Sequence, residues 1–189
     1  MEEKTLIENL KLNDENSFRI LVDLFKKKVF NTSLSIIQNI DDADDISQDV
    51  FIQIFKSINK FKGNSSLSTW IYKITISKSF EYIRFKKRKK RFSTLLKLFR
   101  EDGSIIDIPD FIHPGILLEK KEDSKLLFEA IEKLNQYQKQ AYILKNITGL
   151  SYKEIANVMN KTTSSIESLL FRAKRNLKKE LIKKMDNKK

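Results

Sequence analysis

Three groups of side chains in this sequence have the types and spacing to do chemistry, and all three would act through charge, stacking and hydrogen bonding. The first is a block of cations, Arg84-Phe85-Lys86-Lys87-Arg88-Lys89-Lys90-Arg91. A second block runs from Arg172 through Lys174, Arg175, Lys178, Lys179, Lys183 and Lys184 to Lys188-Lys189. Such runs attract phosphate, and counterion release makes the contact salt-dependent. A single basic run also reads as a solvated helix face. Two runs, each closing a patterned helical stretch, favour a polyanionic partner. The second group interleaves Phe61, Trp70, Tyr72, Phe80, Tyr82 and Phe85 with Lys60, Lys62, Lys73, Lys78 and Arg84. Single strands are held this way, each stacked base contributing about 1–3 kcal/mol. Core packing is the plain alternative for every one of these rings. It is favoured for Trp70, which Ile71 and Ile74 follow, and less so for Phe61, at the lip of Gly63-Asn64-Ser65-Ser66. The third group is acidic: Asp41, Asp42, Asp44, Asp45 and Asp49. Read as a nuclease, these would be magnesium ligands. They fall on several faces of one helix, however, with no second carboxylate cluster to complete a site.

Composition narrows the field further. The chain has no cysteine, which excludes disulfide scaffolds, thiolate metal sites and cysteine nucleophiles and fits a reducing cytoplasm. One histidine, His113, leaves no His-rich metal cluster. No cofactor, metal or catalytic residue is expected. Lysine and arginine total 37 against 25 acids, a net charge of +12, so a nucleic acid is the first partner to consider. The 189 residues allow one domain or two small ones. No run approaches the roughly 18 apolar residues of a membrane span. The N-terminus, MEEKTLIENLKLNDENS, lacks the apolar stretch of a secretory signal. Four glycines and two prolines point to long helices.

The elements that must position these groups read as helices. Phe18, Leu21, Val22 and Phe25 recur at i, i+3, i+4, i+7 behind Asp14 as N-cap. A separate apolar-sided segment covers residues 29–40. Asp41 and Asp42 then suit the positive end of a third helix, whose Ile46, Val50, Ile54 and Ile58 recur every four residues, with Phe51 and Phe55 beside them. It should stop at the Gly63 loop. A fourth helix starts near Leu67 and carries Ile71, Ile74, Phe80 and Ile83 into the first basic run. Residues 93–122 hold both prolines and read as a linker. Beyond it, Leu126, Leu127, Ala130, Ile131 and Leu134 form one stripe, and residues 137–147 a second helix ended by Thr148-Gly149.

Residues 151–176 have the layout of a helix-turn-helix. Ser151-Tyr152-Lys153-Glu154 is a capping box, and Asn160 can take the left-handed turn conformation. Thr162, Thr163 or Ser164 can cap a last helix with Ile166, Leu170, Ala173, Leu177 and Leu181 inward. Packing of Ile155, Ala156, Met159, Ile166 and Leu170 would leave Thr163, Ser164, Ser165, Glu167 and Ser168 facing bases, with Arg172, Lys174 and Arg175 along the backbone. Glu167 is tolerable in a groove chiefly as an acceptor from cytosine. The plain alternative is an αα-hairpin within a bundle.

The strings DADDISQDVF, FKGNSSLSTWIYKI and SFEYIR, in that order and spacing, resemble region 2 of the extracytoplasmic-function (ECF) sigma factors. AIEKLNQYQKQAYILKNITGLSYKEIANVMNKTTSSIESLLFRAKRNLKK resembles their region 4, and its ending is similar to the version of many Bacteroidetes members. The resemblance implies an all-α fold of two small helical domains on a flexible linker: region 2 at 10–92, the linker at 93–122 and region 4 at 123–184. It implies a cytoplasmic protein that binds core RNA polymerase and directs promoter recognition, DNA melting and initiation. The clamp helices of the largest polymerase subunit would be met by Asp45, Gln48, Asp49, Phe51 and Ile52, and the flap of the second-largest by region 4. Minus-ten DNA, captured as a single strand, would be held by Ser57, Phe61, Gly63, Asn64, Ile74, Ser77, Arg84, Lys87 and Arg88. Minus-thirty-five duplex would be read by Thr163 to Ser168 with Arg172, Lys174 and Arg175. An anti-sigma factor is a further partner of many members. The chain departs from the family pattern at Ser77, where many members have Asn, at Asn160 for the usual Gly, at Asn135 for a frequent Pro, and at Glu167 and Leu169 for a Lys and an Arg. The competing reading is a stand-alone helix-turn-helix regulator. That would need an N-terminal sensing domain, usually α/β, whereas residues 1–92 read as helical.

Overall fold

The computed structural model describes residues 2–97 and 121–186. Helices α1 (Glu3–Lys11), α2 (Glu15–Ile37), α3 (Ile40–Ser57) and α4 (Leu67–Lys97) form the first half, with a 3-10 turn over Ile58–Lys60. Helices α5 (Lys121–Glu132), α6 (Gln136–Asn146), α7 (Tyr152–Met159) and α8 (Thr163–Asp186) form the second. The fold is all-α in two helical units, as the patterning and the resemblance imply.

Local chemistry sets most boundaries. Asp14 caps α2 by accepting from the Ser17 N–H at 2.7 Å. The helix then runs unbroken to Ile37, so the segment read at 18–25 and all but the last three residues of the one read at 29–40 are one helix. Lys26, Lys27 and Lys28 are good helix formers that turn to solvent, and no glycine, proline or cap divides them. Asn39, rather than an aspartate, caps α3 through the Asp42 N–H at 2.8 Å, leaving Asp41 and Asp42 in the first turn where the dipole favours them. Helix α4 reaches Lys97, past the expected boundary at 92. The bulk of the expected linker, residues 98–120 with His113, lies outside the described residues.

The first half packs around Leu21, Val29, Ile46, Val50, Ile54, Ile58 and Ile71. Helix α1, not distinguished as an element within the helical reading of residues 1–92 and lying largely before the expected domain start at 10, joins this core through Leu6 and Leu10. Its Glu3 carboxylate accepts from the Leu67 N–H at 2.9 Å, capping α4 from 64 residues away. The second half packs α5, α6 and α7 against α8 around Phe128, Ile131, Ile143, Leu144, Ile155, Ile166 and Leu170. That core does not stop at the second half: Ile36 from α2 and Tyr72, Ile76 and Phe80 from α4 belong to it. The two units are therefore docked against each other.

Candidate nucleic-acid interface

Helices α7 and α8 build the helix-turn-helix from the residues upward. Ser151 and Glu154 form a complete capping box: the Glu154 carboxylate accepts from the Ser151 N–H at 2.8 Å and hydroxyl at 2.7 Å, and Ser151 Oγ accepts from the Glu154 N–H at 3.3 Å. Those bonds hold the Glu154 carboxyl below its ordinary pKa. Asn160 ends α7 in the left-handed conformation, φ 53° and ψ 53°. Thr162 Oγ1 accepts from the Ser165 N–H at 3.2 Å and so caps α8. Ile155, Ala156, Ile166 and Leu170 are buried between the two helices, with Met159 packed beside them. Thr163, Ser164, Glu167 and Ser168 are exposed; Ser165 is half-buried. Arg172, Lys174 and Arg175 are exposed, with the Arg172 Nε–H bonded to the Ser168 carbonyl at 3.1 Å. Leu169 is buried, so it is a core residue. Sequence reasoning missed Phe171, which is 69% exposed. The signal was available: Ser164, Ser168, Phe171 and Arg175 fall at i, i+4, i+7, i+11, one stripe of the helix.

In the first half the loop between the 3-10 turn and α4 has Gly63 at φ +73°. No atom lies near the position a Cβ would take, so glycine serves the backbone conformation there and not space. A cleft of about 550 Å³ beside this loop is lined by Phe61, Asn64, Thr69 and Trp70 with Lys60, Lys62 and Lys73. Phe61 is 5% exposed and meets Trp70 with ring centroids 5.2 Å apart, so it is a wall fixed in the core. Three other expected members of the site do not line this cleft. Ser57 donates to the Gln53 carbonyl, Ile74 is half-buried in the core, and Ser77 is exposed and donates to Glu81 at 2.9 Å.

A second cleft, of about 380 Å³ between α3 and α4, is lined by Ile46, Asp49, Lys78, Tyr82, Arg84 and Arg88 among others. It brings an expected polymerase contact, Asp49, beside two expected DNA contacts. Lys87 is exposed next to it. Lys86, in the same run, is committed to Asp42 and lies over the Tyr82 ring at 5.3 Å. Burial alone would raise the Asp42 carboxyl, but the Lys86 ammonium with the Tyr82 hydroxyl overrides it and holds the group below its ordinary value. On α3, Asp45, Gln48 and Asp49 are exposed and Phe51 is half-buried. Ile52 and Phe55 remain 50% and 48% exposed. Among the described residues no group of three or more His, Cys, Asp or Glu could hold a metal ion, and no helix is long and apolar enough to cross a membrane.

Comparison with known proteins agrees with this division. The family model for Sigma-70 region 2 matches residues 21–89, and that for Sigma-70, region 4 matches residues 124–177. The ECF RNA polymerase sigma-E factor of Escherichia coli strain K12 is 27% identical over 176 residues, covering 91% of this chain and 90% of its own length. Its counterpart in Haemophilus influenzae is also 27% identical, over 91% of both. Among solved structures, the sigma factor RpoE in complex with the anti-sigma factor NepR from Bartonella quintana matches with a TM-score of 0.68 and 21% identity, covering 87% of this chain and 96% of that one. CnrH in complex with the cytosolic domain of CnrY matches with a TM-score of 0.69 and 18% identity, covering 95% and 96%. With both regions present in order on a matching fold, the chain belongs to the sigma-70 family, in its ECF group.

Proposed function

We propose that this ECF sigma factor joins cytoplasmic core RNA polymerase and carries it to promoters through three surfaces. The polymerase surface is α3, where Asp45, Gln48, Asp49, Phe51 and Ile52 would meet the clamp helices of the largest subunit. The half-exposed Ile52 and Phe55 carry this reading, because apolar side chains left beside an acidic stripe call for a partner. Region 4 would add contact with the flap of the second-largest subunit. The second surface is the Gly63 loop and the α4 basic run. There Phe61 and Asn64 would border a flipped base, while Arg84, Lys87 and Arg88 hold the strand's phosphates; Ser57, Ile74 and Ser77 would act at the rim. The third surface is α8, whose Thr163, Ser164, Ser165, Glu167, Ser168 and Phe171 would face the major groove, with Arg172, Lys174 and Arg175 on the backbone. The domain division at 10–92 and 123–184 follows the same surfaces. The ending SIESLLFRAKRNLKK supports a Bacteroidetes-type member, and an anti-sigma factor is the expected regulator.

No covalent step is involved. Extruding each base costs a few kcal/mol, and stacking with phosphate contact offsets it. In-vitro transcription with core polymerase on a genomic library tests the reading and reports the promoter. Specific initiation that needs the chain is the expected result. Failure to associate with core polymerase lacking its own initiation subunit would refute it.

A further inference from the structure

Six aromatic rings stand among the cations of α4 and the loop before it, and the fold commits five of them. Tyr72 and Phe80 are buried in the second core, and Phe61 is buried in the first with Trp70 packed on it. Tyr82 is half-buried, with the Lys86 ammonium over its ring and its hydroxyl on the Asp42 carboxyl. Phe85 is 56% exposed, and among the described residues no other ring and no cation lies against it. A lone exposed ring is ordinary on a protein surface; what singles this one out is its setting. Lys78, Glu81, Phe85 and Arg88 fall at i, i+3, i+7, i+10, one stripe of α4. With Arg84 they wall the cleft of about 380 Å³, across from Ile46 and Asp49 of α3. Among the described residues, Lys78, Arg84, Arg88 and Asp49 make no ion pair or side-chain hydrogen bond.

An open ring flanked by unpaired cations suits a polyanion that carries flat groups, which is a single nucleic-acid strand. The acids of the cleft decide which part of the strand enters. Asp49 and Glu81 repel a phosphate or an acidic peptide, but they tolerate an uncharged base, from whose amino group a carboxylate can accept. The phosphates are then left to Arg84 and Arg88 at the rim. Phe85 also lies fifteen residues beyond Trp70 on the same helix, about 22 Å at 1.5 Å per residue. That is too far to share the base bordered by Phe61 and Asn64. We infer that Phe85 stacks on a second unpaired base of the melted strand, several nucleotides from the one at the Gly63 loop, with Arg84 and Arg88 on the flanking phosphates. The inference rests on the reading of α4 as the melted-strand surface and names a base contact within it.

The test pairs side-chain and base deletions in holoenzyme assembled from the full chain and core polymerase. The probe is a fork-junction DNA of the promoter that library transcription recovers, with an abasic sugar placed at each unpaired position in turn. Phe85→Ala should weaken binding of the intact probe by roughly 5- to 100-fold, the share of one stacked base. At one position, distinct from that of the flipped base, the abasic sugar should weaken the wild type by a similar factor and Phe85→Ala hardly at all, the signature of a direct contact. Phe85→Trp should bind as tightly as the wild type, and Phe85→Leu as weakly as Phe85→Ala. The salt slope should not move, because no phosphate contact is removed. Phe85 is exposed, so these variants should fold and bind core polymerase normally. Unchanged affinity in Phe85→Ala would overturn the inference. So would full affinity in Phe85→Leu, penalties that add independently at every position, or a loss of core binding, which would set the ring against polymerase. If the wild type itself failed to bind core polymerase, the sigma-factor reading would fall and take this one with it. Normal initiation with an indifferent Phe85→Ala would remove this one alone.

Discussion

Lys86 and Arg88 belong to one basic run, yet the fold gives them different work. The Lys86 ammonium is held by Asp42, 44 residues upstream, and lies over the Tyr82 ring. Arg88 is exposed and opens onto the cleft between α3 and α4. Arg88→Gln should flatten the salt dependence of holoenzyme binding to a fork-junction promoter by about 0.7–0.9 in the log–log slope, the share of one phosphate contact. Lys86→Gln should leave that slope nearly unchanged and cost folding stability only about 1 kcal/mol, because the Lys86 end of the pair is solvent-exposed although Asp42 is half-buried. Salt titrations of the two variants and their thermal unfolding check both halves of the statement; equal slopes would show that Asp42 does not withhold Lys86 from DNA. The run itself was legible in the sequence. Its division of labour was not, since nothing local marks which lysine meets a distant aspartate. The same holds for Phe61: its position at the loop lip was readable, but its burial against Trp70 follows from tertiary packing.

At the scale of elements, the parts read most clearly were those fixed by short-range chemistry. The Ser151–Glu154 capping box, the left-handed Asn160 and the Asp14 cap lie within three or four residues of their partners. Elements that depend on distant packing were missed or misdivided. Helix α1 has only Leu6 and Leu10 buried, too little periodicity to stand out, and is fixed by the first core and by the bond from Glu3 to Leu67. The capping box gives a test of how much the helix-turn-helix owes to local order. Ser151→Ala removes a cap and should destabilise the second half by about 1 kcal/mol. Because the bonds from Ser151 lower the Glu154 pKa in the folded state, their contribution is full above the unfolded carboxyl value of about 4.3. It drains away as pH falls through the lower folded value. Thermal unfolding of the wild type should therefore lose this increment on acidification. Glu154→Gln should be less stable at neutral pH and should lack that part of the acid dependence; identical pH profiles would show that the box contributes nothing to stability.

For the whole molecule, the sequence disclosed two helical units and the order of their surfaces but not their docking. The residues responsible give no such sign. Lys139 reads as an ordinary surface lysine of a helix, and Tyr72 and Phe80 as members of an aromatic-basic interleave; they become an interface only when α2, α4 and α6 meet. Where both units engage one promoter, the length of chain between them sets what they can reach. Residues 98–120 can extend to roughly 80 Å at about 3.5 Å per residue. Two promoter elements about 85 Å apart, each engaged by a unit about 30 Å across, leave on the order of 50 Å to bridge. The wild-type length meets that with chain to spare. Deleting ten residues from this stretch shortens the reach to about 45 Å, below the gap. Initiation at promoters that depend on both elements should then collapse, by more than tenfold, since the second contact loses its effective concentration. Binding to core polymerase, proposed to use the α3 face, should persist. Abortive-transcript yield and core-binding titrations on the deletion variant separate the two. Retained two-element transcription would mean that the units sit closer on DNA than the spacing of the elements requires, so that polymerase or bent DNA, and not the tether, bridges the gap.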